Sequence, residues 1–475
     1  MLPIGGGSGW TLVEWLQVIE RELLFFALFW FIVGTLDELV IDLLWFGLRC
    51  NPAKQTSRLP ADAGRGRLSG RIAIFIPAWQ EADVIGTTVA HMLRMWRQAD
   101  FVLYVGCYGN DPDTVAATMA AVGHDPRLRL VIHDRHGPTT KADCLNRIYA
   151  ALCSDELRTG TRFRGVVLHD SEDMVHPLEL ALIDDALGAV DFVQLPVRPE
   201  IPEGPHWIAG HYCDEFVESH ARVMVVRDAL GAGLPAAGVG CGFSRDMLER
   251  IGHLRGRQGG VGPFAAECFT EDYELGLLIT RLGGQSRFLR CRDAEGQLIG
   301  TRSYFPGTLV GAVRQKTRWM HGIALQGWDR LGWAGGPVTI WMAIRDRRGP
   351  LTAVVFMAAY GLLLIEGGLA VARLRYGAAM PVMAPLSPLI RGGMLVSAFG
   401  FIWRMVLRFV FTAREYGLRE GVCAIVRVPV ANVITIMAGR RALTAYCRSL
   451  TGGALVWEKT EHHTHPAMIR VQAPE

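Results

Sequence analysis

Val166-Val167-Leu168-His169-Asp170-Ser171-Glu172-Asp173 is a short apolar run that stops abruptly in three carboxylates within four residues. The run reads as a buried strand, and in open α/β sheets ligands sit at the carboxyl ends of the strands. Asp170, Glu172 and Asp173 offer the hard oxygens that Mg²⁺ or Mn²⁺ take. An ion held there could bridge two phosphates and meet the charge that builds on a leaving diphosphate. A solvated acidic turn or a helix N-terminus accounts for the same residues without any ligand. The motif alone is compatible with both.

Working outward, residues from about Gly70 to Trp341 alternate short β-rich runs with helical stretches. Strands are predicted at Ile72–Ile76, Phe101–Val105, Leu128–Ile132, Val166–His169 and Phe192–Val197, with helices starting near Val84, Thr114, Lys141, Leu178 and Glu271. This alternation predicts a mostly parallel sheet with helices on both faces. Glu81, after the first strand, falls at the same edge as Asp170. Thr270-Glu271-Asp272 opens a helical stretch, where Thr270 suits an N-cap and acids favour the first turn. The alternative is catalytic, with Asp272 as a general base for an acceptor hydroxyl. Further on, Gln315, Arg318 and Trp319 fall at i, i+3 and i+4 and share one side of a helix. An arginine can grip a diphosphate with two parallel bonds, and an indole face suits a sugar ring. A basic helix on lipid headgroups explains that segment equally well.

Half of the 475 residues are hydrophobic and the mean hydropathy is +0.21, which points towards a membrane protein. The net charge of only +3 gives no nucleic-acid footprint. Ten cysteines spread from Cys50 to Cys447 without a CxxC pair, which fits reduced cytosolic thiols and excludes a zinc-ribbon pattern. Leu23 to Leu36 is too short to span a bilayer, but continuing past Asp37, Glu38 and Asp42 to Leu48 gives about 39 Å of helix. Glu38 and Asp42 share one helical face, so either neighbouring helices shelter them or they sit at the headgroup boundary. Further apolar blocks run from Leu351 to Ala372, broken by Glu366, and from Gly392 to Ala413, which holds Arg404 and Arg408. Ala424 to Ala438, with Arg427 and Pro429, reads as a short interfacial helix. Arg49, Lys54, Arg58, Arg65 and Arg67 follow the first span and Arg345, Arg347 and Arg348 precede the second, so the central segment belongs in the cytoplasm. The expected organisation is an N-terminal segment with the first span over 1–50 and a catalytic domain over 68–345. Spans at 350–374 and 390–413 follow, then an interfacial helix and cytosolic tail over 414–475.

The three motifs, in this order on an α/β domain between membrane spans, resemble the family-2 glycosyltransferases, and among them the processive polysaccharide synthases related to cellulose synthase. Phe75-Ile76-Pro77-Ala78-Trp79-Gln80-Glu81 is similar to the family's Pro-Ala-Tyr-Asn-Glu opening, and Lys141-Ala142-Asp143-Cys144-Leu145-Asn146 to its Lys-Ala-Gly-Ala-Leu-Asn segment. Asp170-Ser171-Glu172 stands at the family's Asp-x-Asp, and Gly240-Cys241-Gly242-Phe243-Ser244-Arg245 resembles its acceptor-side glycine loop. Thr270-Glu271-Asp272 and Gln315-Lys316-Thr317-Arg318-Trp319 match Thr-Glu-Asp and Gln-x-x-Arg-Trp. The likeness covers roughly Arg71 to Gly322. It implies a Rossmann-like GT-A domain inserted between transmembrane helices, an inverting transfer, a UDP-sugar donor and Mg²⁺ or Mn²⁺.

Carried over residue by residue, the resemblance puts Glu81 and Lys141 at the uridine, with Pro77 and Ala78 beside the nucleotide. Asp170 with Glu172 would hold the metal-diphosphate, with Asp173 next to them. Asp272 would be the base, alongside Glu271. Gln315, Arg318 and Trp319 would hold the diphosphate and the acceptor's terminal sugar. Two positions depart from the family. Its Asp-Asp pair after the second strand is replaced by Gly106-Cys107-Tyr108-Gly109-Asn110-Asp111, so the acid contact with the base is either missing or shifted to Asp111. Glu172 replaces the usual Asp, leaving open whether it or Asp173 reaches the metal.

The tail Trp457-Glu458-Lys459-Thr460-Glu461-His462 resembles the Trp-Asp-Lys-Thr-x-His end of the inner-membrane phage-adsorption glycosyltransferases. That family's products imply a secreted exopolysaccharide, a donor such as UDP-ManNAc, and a bacterial inner membrane with the catalytic domain in the cytoplasm. They also imply a polysaccharide or lipid-linked acceptor, self-association or an outer-membrane partner for export, and a separate cyclic di-GMP-responsive subunit. His462, His463 and His465 read as a solvated tail in preference to a metal clip. The competing functions are a non-processive transferase acting on a lipid carrier and a catalytically inactive membrane receptor or scaffold.

Overall fold

The computed structural model describes residues 11–50, 56–60, 62–64, 66–123, 125–377, 385–452 and 465–468. Nine strands are present among them: β1 Ile72–Pro77, β2 Phe101–Tyr108, β3 Leu128–His133, β4 Gly165–Leu168, β5 Phe192–Gln194, β6 Val197–Pro199, β7 Cys241–Ser244, β8 Ser286–Phe288 and β9 Thr301–Ser303. Seven form one sheet in the order β3-β2-β1-β4-β7-β5-β8, and β6 pairs with β9 separately. Ile72 lies opposite both Phe101 and Gly165 in parallel register. β7 runs antiparallel to β4 and β5, so the sheet is mixed.

Two sequence expectations change here. The segment 240–245, read as a glycine loop, contributes the buried strand β7. The strand expected over 192–197 divides, because β5 ends at Gln194 and β6 starts at Val197 in the other sheet. Pro196 lies in the break, and with no N–H it cannot continue a ladder.

Alternate residues of the buried strands feed opposite cores. Ala73, Phe75, Val102 and Tyr104 pack with Leu145, Ile148 and Leu152 of the helix Lys141–Thr159 and with Leu275 and Ile279 of the helix Glu271–Arg281. Ile72, Ile74, Ile76, Leu103 and Val105 pack on the other face with Val89 and Met92 of Ile85–Met95 and Ile183 of Glu179–Ala186. Strands covered on both faces read as continuous apolar runs.

Three helices, Leu12–Arg49, Gly349–Tyr376 and Pro388–Tyr416, are long and apolar enough to cross a membrane. The first begins earlier than expected, because Thr11 and Glu14 form a reciprocal cap at its start. Its 38 residues give about 57 Å of length, well beyond the hydrocarbon thickness of roughly 30 Å. The excess lets its last turns reach the α/β domain. There Glu38 and Asp42 are sheltered by neighbours. Arg222 Nη2 donates to Glu38 at 2.6 Å and its Nη1 to Asp42, while Arg345 and Arg348 also bind Glu38, at 2.9 and 2.5 Å. Trp403 Nε1 adds a bond to Asp42 at 2.8 Å.

The short interfacial helix expected at 424–438 is instead two helices, Leu418–Val426 and Val428–Leu450, bent by 50°. By length and composition the pair also qualifies as a fourth, broken span. The bend falls at Arg427, whose buried guanidinium donates to Asp214 at 2.7 and 2.9 Å and to Glu420 at 2.7 Å.

Candidate active site

Along β2-β1-β4-β7-β5 the aligned strand ends bring Tyr108, Pro77, Asp170, Val239 and Gln194 to one edge, and a cavity of about 550 Å³ runs across them. Pro77, Ala78, Glu81, Lys141, Asp170, Glu172, Asp173, Glu271, Asp272, Gln315, Arg318 and Trp319 all lie on its wall. The contacts of two of them, Lys141 and Asp173, and of Asp111 off the wall bear on the roles expected of them.

At the β1 end the chain turns through Gln80, which holds a left-handed φ of 54°; such backbone costs about 1–3 kcal/mol and concentrates at functional sites. Gln80 N–H donates to Asp111 Oδ2 at 2.6 Å and Glu81 N–H to Thr114 Oγ1 at 2.9 Å. Asp111, the replacement acid expected at a nucleobase, therefore braces the turn and is not on the cavity wall. Tyr108 stands there instead, edge-on to Trp79 at 5.0 Å.

Lys141 starts a helix capped by Thr140, and its ammonium pairs with Asp170 in the middle of the cavity. Burial opposes the charge, but Asp170, Glu271 and Asp272 outweigh it and hold the pKa above the ordinary lysine value. Lys141 thus counters the central acids, where the resemblance placed it at the uridine.

The Asp173 carboxylate is 1 % exposed, accepts from Asp170 N–H at 2.9 Å and pairs with His169 Nδ1 at 3.0 Å. It folds the acidic loop onto itself, leaving Asp170 and Glu172 to face outward. Burial disfavours a charged His169, yet Glu179 and Asp173 push it up to about 9. The loop's carbonyls are held as well, Ser171 O by Thr88 Oγ1 at 2.5 Å and Asp173 O by His465 Nε2 at 3.1 Å. His465, read as part of a solvated tail, is fully buried, and burial pushes its pKa down to about 4. The Trp457–His462 motif and His463 lie outside the described residues.

Thr270 occupies the N-cap position of its helix but makes no side-chain cap bond, so capping does not account for its hydroxyl. Asp272 Oδ1 accepts from Tyr273 N–H at 2.8 Å. Burial raises the Asp272 pKa against the pull of Lys141, and burial followed by Asp272 pushes Glu271 up to about 8. Two glycines leave room for these groups. A Cβ on Gly238 (φ +77°) would collide with Asp272 Oδ2, and one on Gly322 with Thr270.

On the helix Leu309–Met320, Gln315 Oε1 is buried beside the cavity with no hydrogen-bond partner among the described residues. Among the described residues no group of three or more His, Cys, Asp or Glu could hold a metal. Asp170, paired with Lys141, and Glu172 bring carboxylate oxygens to the same wall, the hard donor type that divalent cations take.

Sequence reasoning missed the wall beyond Trp319, which includes Glu215, Phe216, Ser219, Val223, Phe305 and Asp346. No motif marks them. Two π-helical turns, Ser219–Val223 and His321–Gln326, adjoin this end, and such turns occur frequently at functional sites.

A family model described as glycosyltransferase-like family 2 matches residues 70–322. The chain is 31% identical over 479 residues to bacteriophage adsorption protein B of Escherichia coli K12, and equally to bacteriophage N4 adsorption protein B of Escherichia coli O157:H7. Each match covers 94% of this chain, which spans 62% of the length of those relatives. A mannosyltransferase from Pyrobaculum calidifontis, solved with GDP-Man and Mn²⁺, is 15% identical with a TM-score of 0.51, covering 88% of this chain and 99% of that one. That likeness shows a shared GT-A-like fold.

Proposed function

Since the chain belongs to glycosyltransferase-like family 2, we propose that it is a membrane-bound inverting transferase that moves a sugar from a UDP-sugar onto a growing exopolysaccharide. The observation that carries this is the meeting of Asp170, Asp272 and Arg318 on one cavity, although well over a hundred residues separate the first from the last. The acceptor hydroxyl gives its proton to Asp272 while its oxygen forms a bond to the anomeric carbon. The bond to the diphosphate oxygen breaks, and the nucleoside diphosphate leaves with the electron pair from the opposite face. Arg318 counters the charge on that leaving group, an interaction whose loss typically lowers rates by about 10²–10³. A divalent cation held at Asp170 and Glu172 would supply further neutralisation there. The Trp319 indole offers a stacking surface for the acceptor's terminal sugar.

The anchoring helices support a bacterial inner-membrane location, and the basic flanks Arg49, Arg345, Arg347 and Arg348 support a cytoplasmic catalytic domain. Gln315, Arg318 and Trp319 next to the membrane helices favour a processive enzyme over a single transfer to a lipid carrier. Within this reading the donor is an N-acetylhexosamine nucleotide such as UDP-ManNAc, which is what the resemblance of the tail motif to the phage-adsorption glycosyltransferases implies. The test is UDP release from membranes given a panel of UDP-sugars, with mass spectrometry and gel sizing of the product. A long polymer from one donor is expected. Release with none, or a product one sugar longer than its acceptor, would overturn the corresponding part of this reading.

A further inference from the structure

The loop after β4 carries Asp170 and Glu172 on the cavity wall, and its carbonyls are held by groups that are not on that wall. Three of the holders belong to the helix Ile85–Met95 and to Trp96, which ends it. Thr88 Oγ1 donates to Ser171 O at 2.5 Å, His91 Nε2 to Val175 O at 3.1 Å and Trp96 Nε1 to His176 O at 3.2 Å. Met174 exchanges both backbone bonds with Arg302, at 2.7 and 3.0 Å. The Asp173 carbonyl, in the centre of this run, is held from far along the chain. His465 Nε2 donates to it at 3.1 Å, across 292 positions.

The surroundings of His465 commit it to this bond. Ala467 N–H donates to its Nδ1 at 3.0 Å, so Nδ1 presents a lone pair and the ring proton sits on Nε2. That is the tautomer the Asp173 carbonyl requires. His465 is fully buried, Ala467 is buried near it, and the His91 ring lies 6.1 Å away. Asp173 is the pivot of the loop, because its carboxylate takes both the Asp170 N–H and the His169 ring. With His465 on its carbonyl, both polar ends of Asp173 are pinned. The carboxylates of Asp170 and Glu172, three residues and one residue before it, take their places from that pivot. Apolar packing would suffice to anchor the C-terminal segment; a histidine with a fixed tautomer, aimed at one buried carbonyl, also sets the orientation of the peptide it holds.

Resting on the cation role given to Asp170 and Glu172 above, we propose that His465 is a positioning residue for a divalent cation, fixing the loop that binds it. The C-terminal segment is then part of the transfer site, although it follows the last of the long apolar helices.

The test titrates Mn²⁺ into the full chain in detergent with UDP present, read by loss of the free-ion EPR signal. His465→Leu removes the donor and His465→Asn draws it out of reach, and each should weaken Mn²⁺ binding by about 10–100-fold. His465→Gln, whose amide nitrogen falls near the place of Nε2, should stay within about threefold of the unsubstituted chain. Tyr446→Phe unties the helix Val428–Leu450 from Asp329; it controls for loosening of the C-terminal region and should leave Mn²⁺ binding unchanged. The proposal is overturned if the leucine and asparagine variants bind Mn²⁺ normally, if glutamine is as weak as leucine, or if Tyr446→Phe weakens binding as much. A distinct result, no Mn²⁺ uptake by the unsubstituted chain beside UDP, would remove the cation from the proposed function and this role with it.

Discussion

The Asp272 carboxylate sits in the first turn of its helix, with Oδ1 bound to its neighbour's N–H and Oδ2 facing Gly238. Burial raises its pKa, whereas Lys141 and Arg318 lower it. A raised carboxyl loses its basic form at a higher pH than an ordinary aspartate, whose pKa is about 3.9. Transfer should therefore fall, as the pH drops, through a limb above that value. Arg318→Ala should move the limb higher still; a pH–kcat profile in which the limb moves down contradicts this assignment. Asp272→Asn is expected to keep UDP binding and lose about 10²–10⁴ in transfer, checked by calorimetry beside a UDP-release assay. Gly322 tests the packing beneath the same turn. Gly322→Ala pushes a methyl into Thr270, and overpacking of this kind costs about 1–3 kcal/mol. We expect a lower melting temperature and a loss of transfer that exceeds any loss of UDP affinity.

The π-helical turn Ser219–Val223 carries Ser219 and Val223 on the cavity wall and sends Arg222 the other way, into Glu38, Asp42 and Glu218. One short element thus joins the site to the first membrane-anchoring helix. Arg222 is buried among these carboxylates, so removing it leaves charges without their partner, a change that typically costs about 3–5 kcal/mol. Arg222→Ala should lower the detergent melting temperature sharply. On the domain surface, Arg162 pairs with Asp246 while both are exposed, and Arg162→Ala should stay within about 1 kcal/mol. Equal effects from the two substitutions would show that the buried network does not anchor the helix. The bend at Arg427 follows the same logic, because Asp214 reaches it from the α/β domain. A scan for apolar windows has no means of anticipating such a partner.

For the whole molecule, the three long apolar helices and the basic flanks lead to a topology that can be read out chemically. In a chain without other cysteines, Cys50, exposed at the end of the first helix, should resist a membrane-impermeant maleimide in intact spheroplasts and react once they are opened. Ser387→Cys, at the start of the third helix, should react from outside. The reverse pattern would place the catalytic domain on the other face. Local patterns in the sequence determined much: the alternating α/β domain, three apolar helices, and the motifs around Asp170, Asp272 and Arg318, because strand burial, helix periodicity and family spacing are local signals. Only the tertiary structure decided that Asp173 turns inward, that Lys141 joins the central acids, that His465 packs under the acidic loop, and that Phe216 and Phe305 meet beyond Trp319. Those outcomes depend on strand order and on ion pairs between residues far apart in the chain, and neither the spacing nor the type of a residue specifies which distant partner will satisfy its charge or cover its ring.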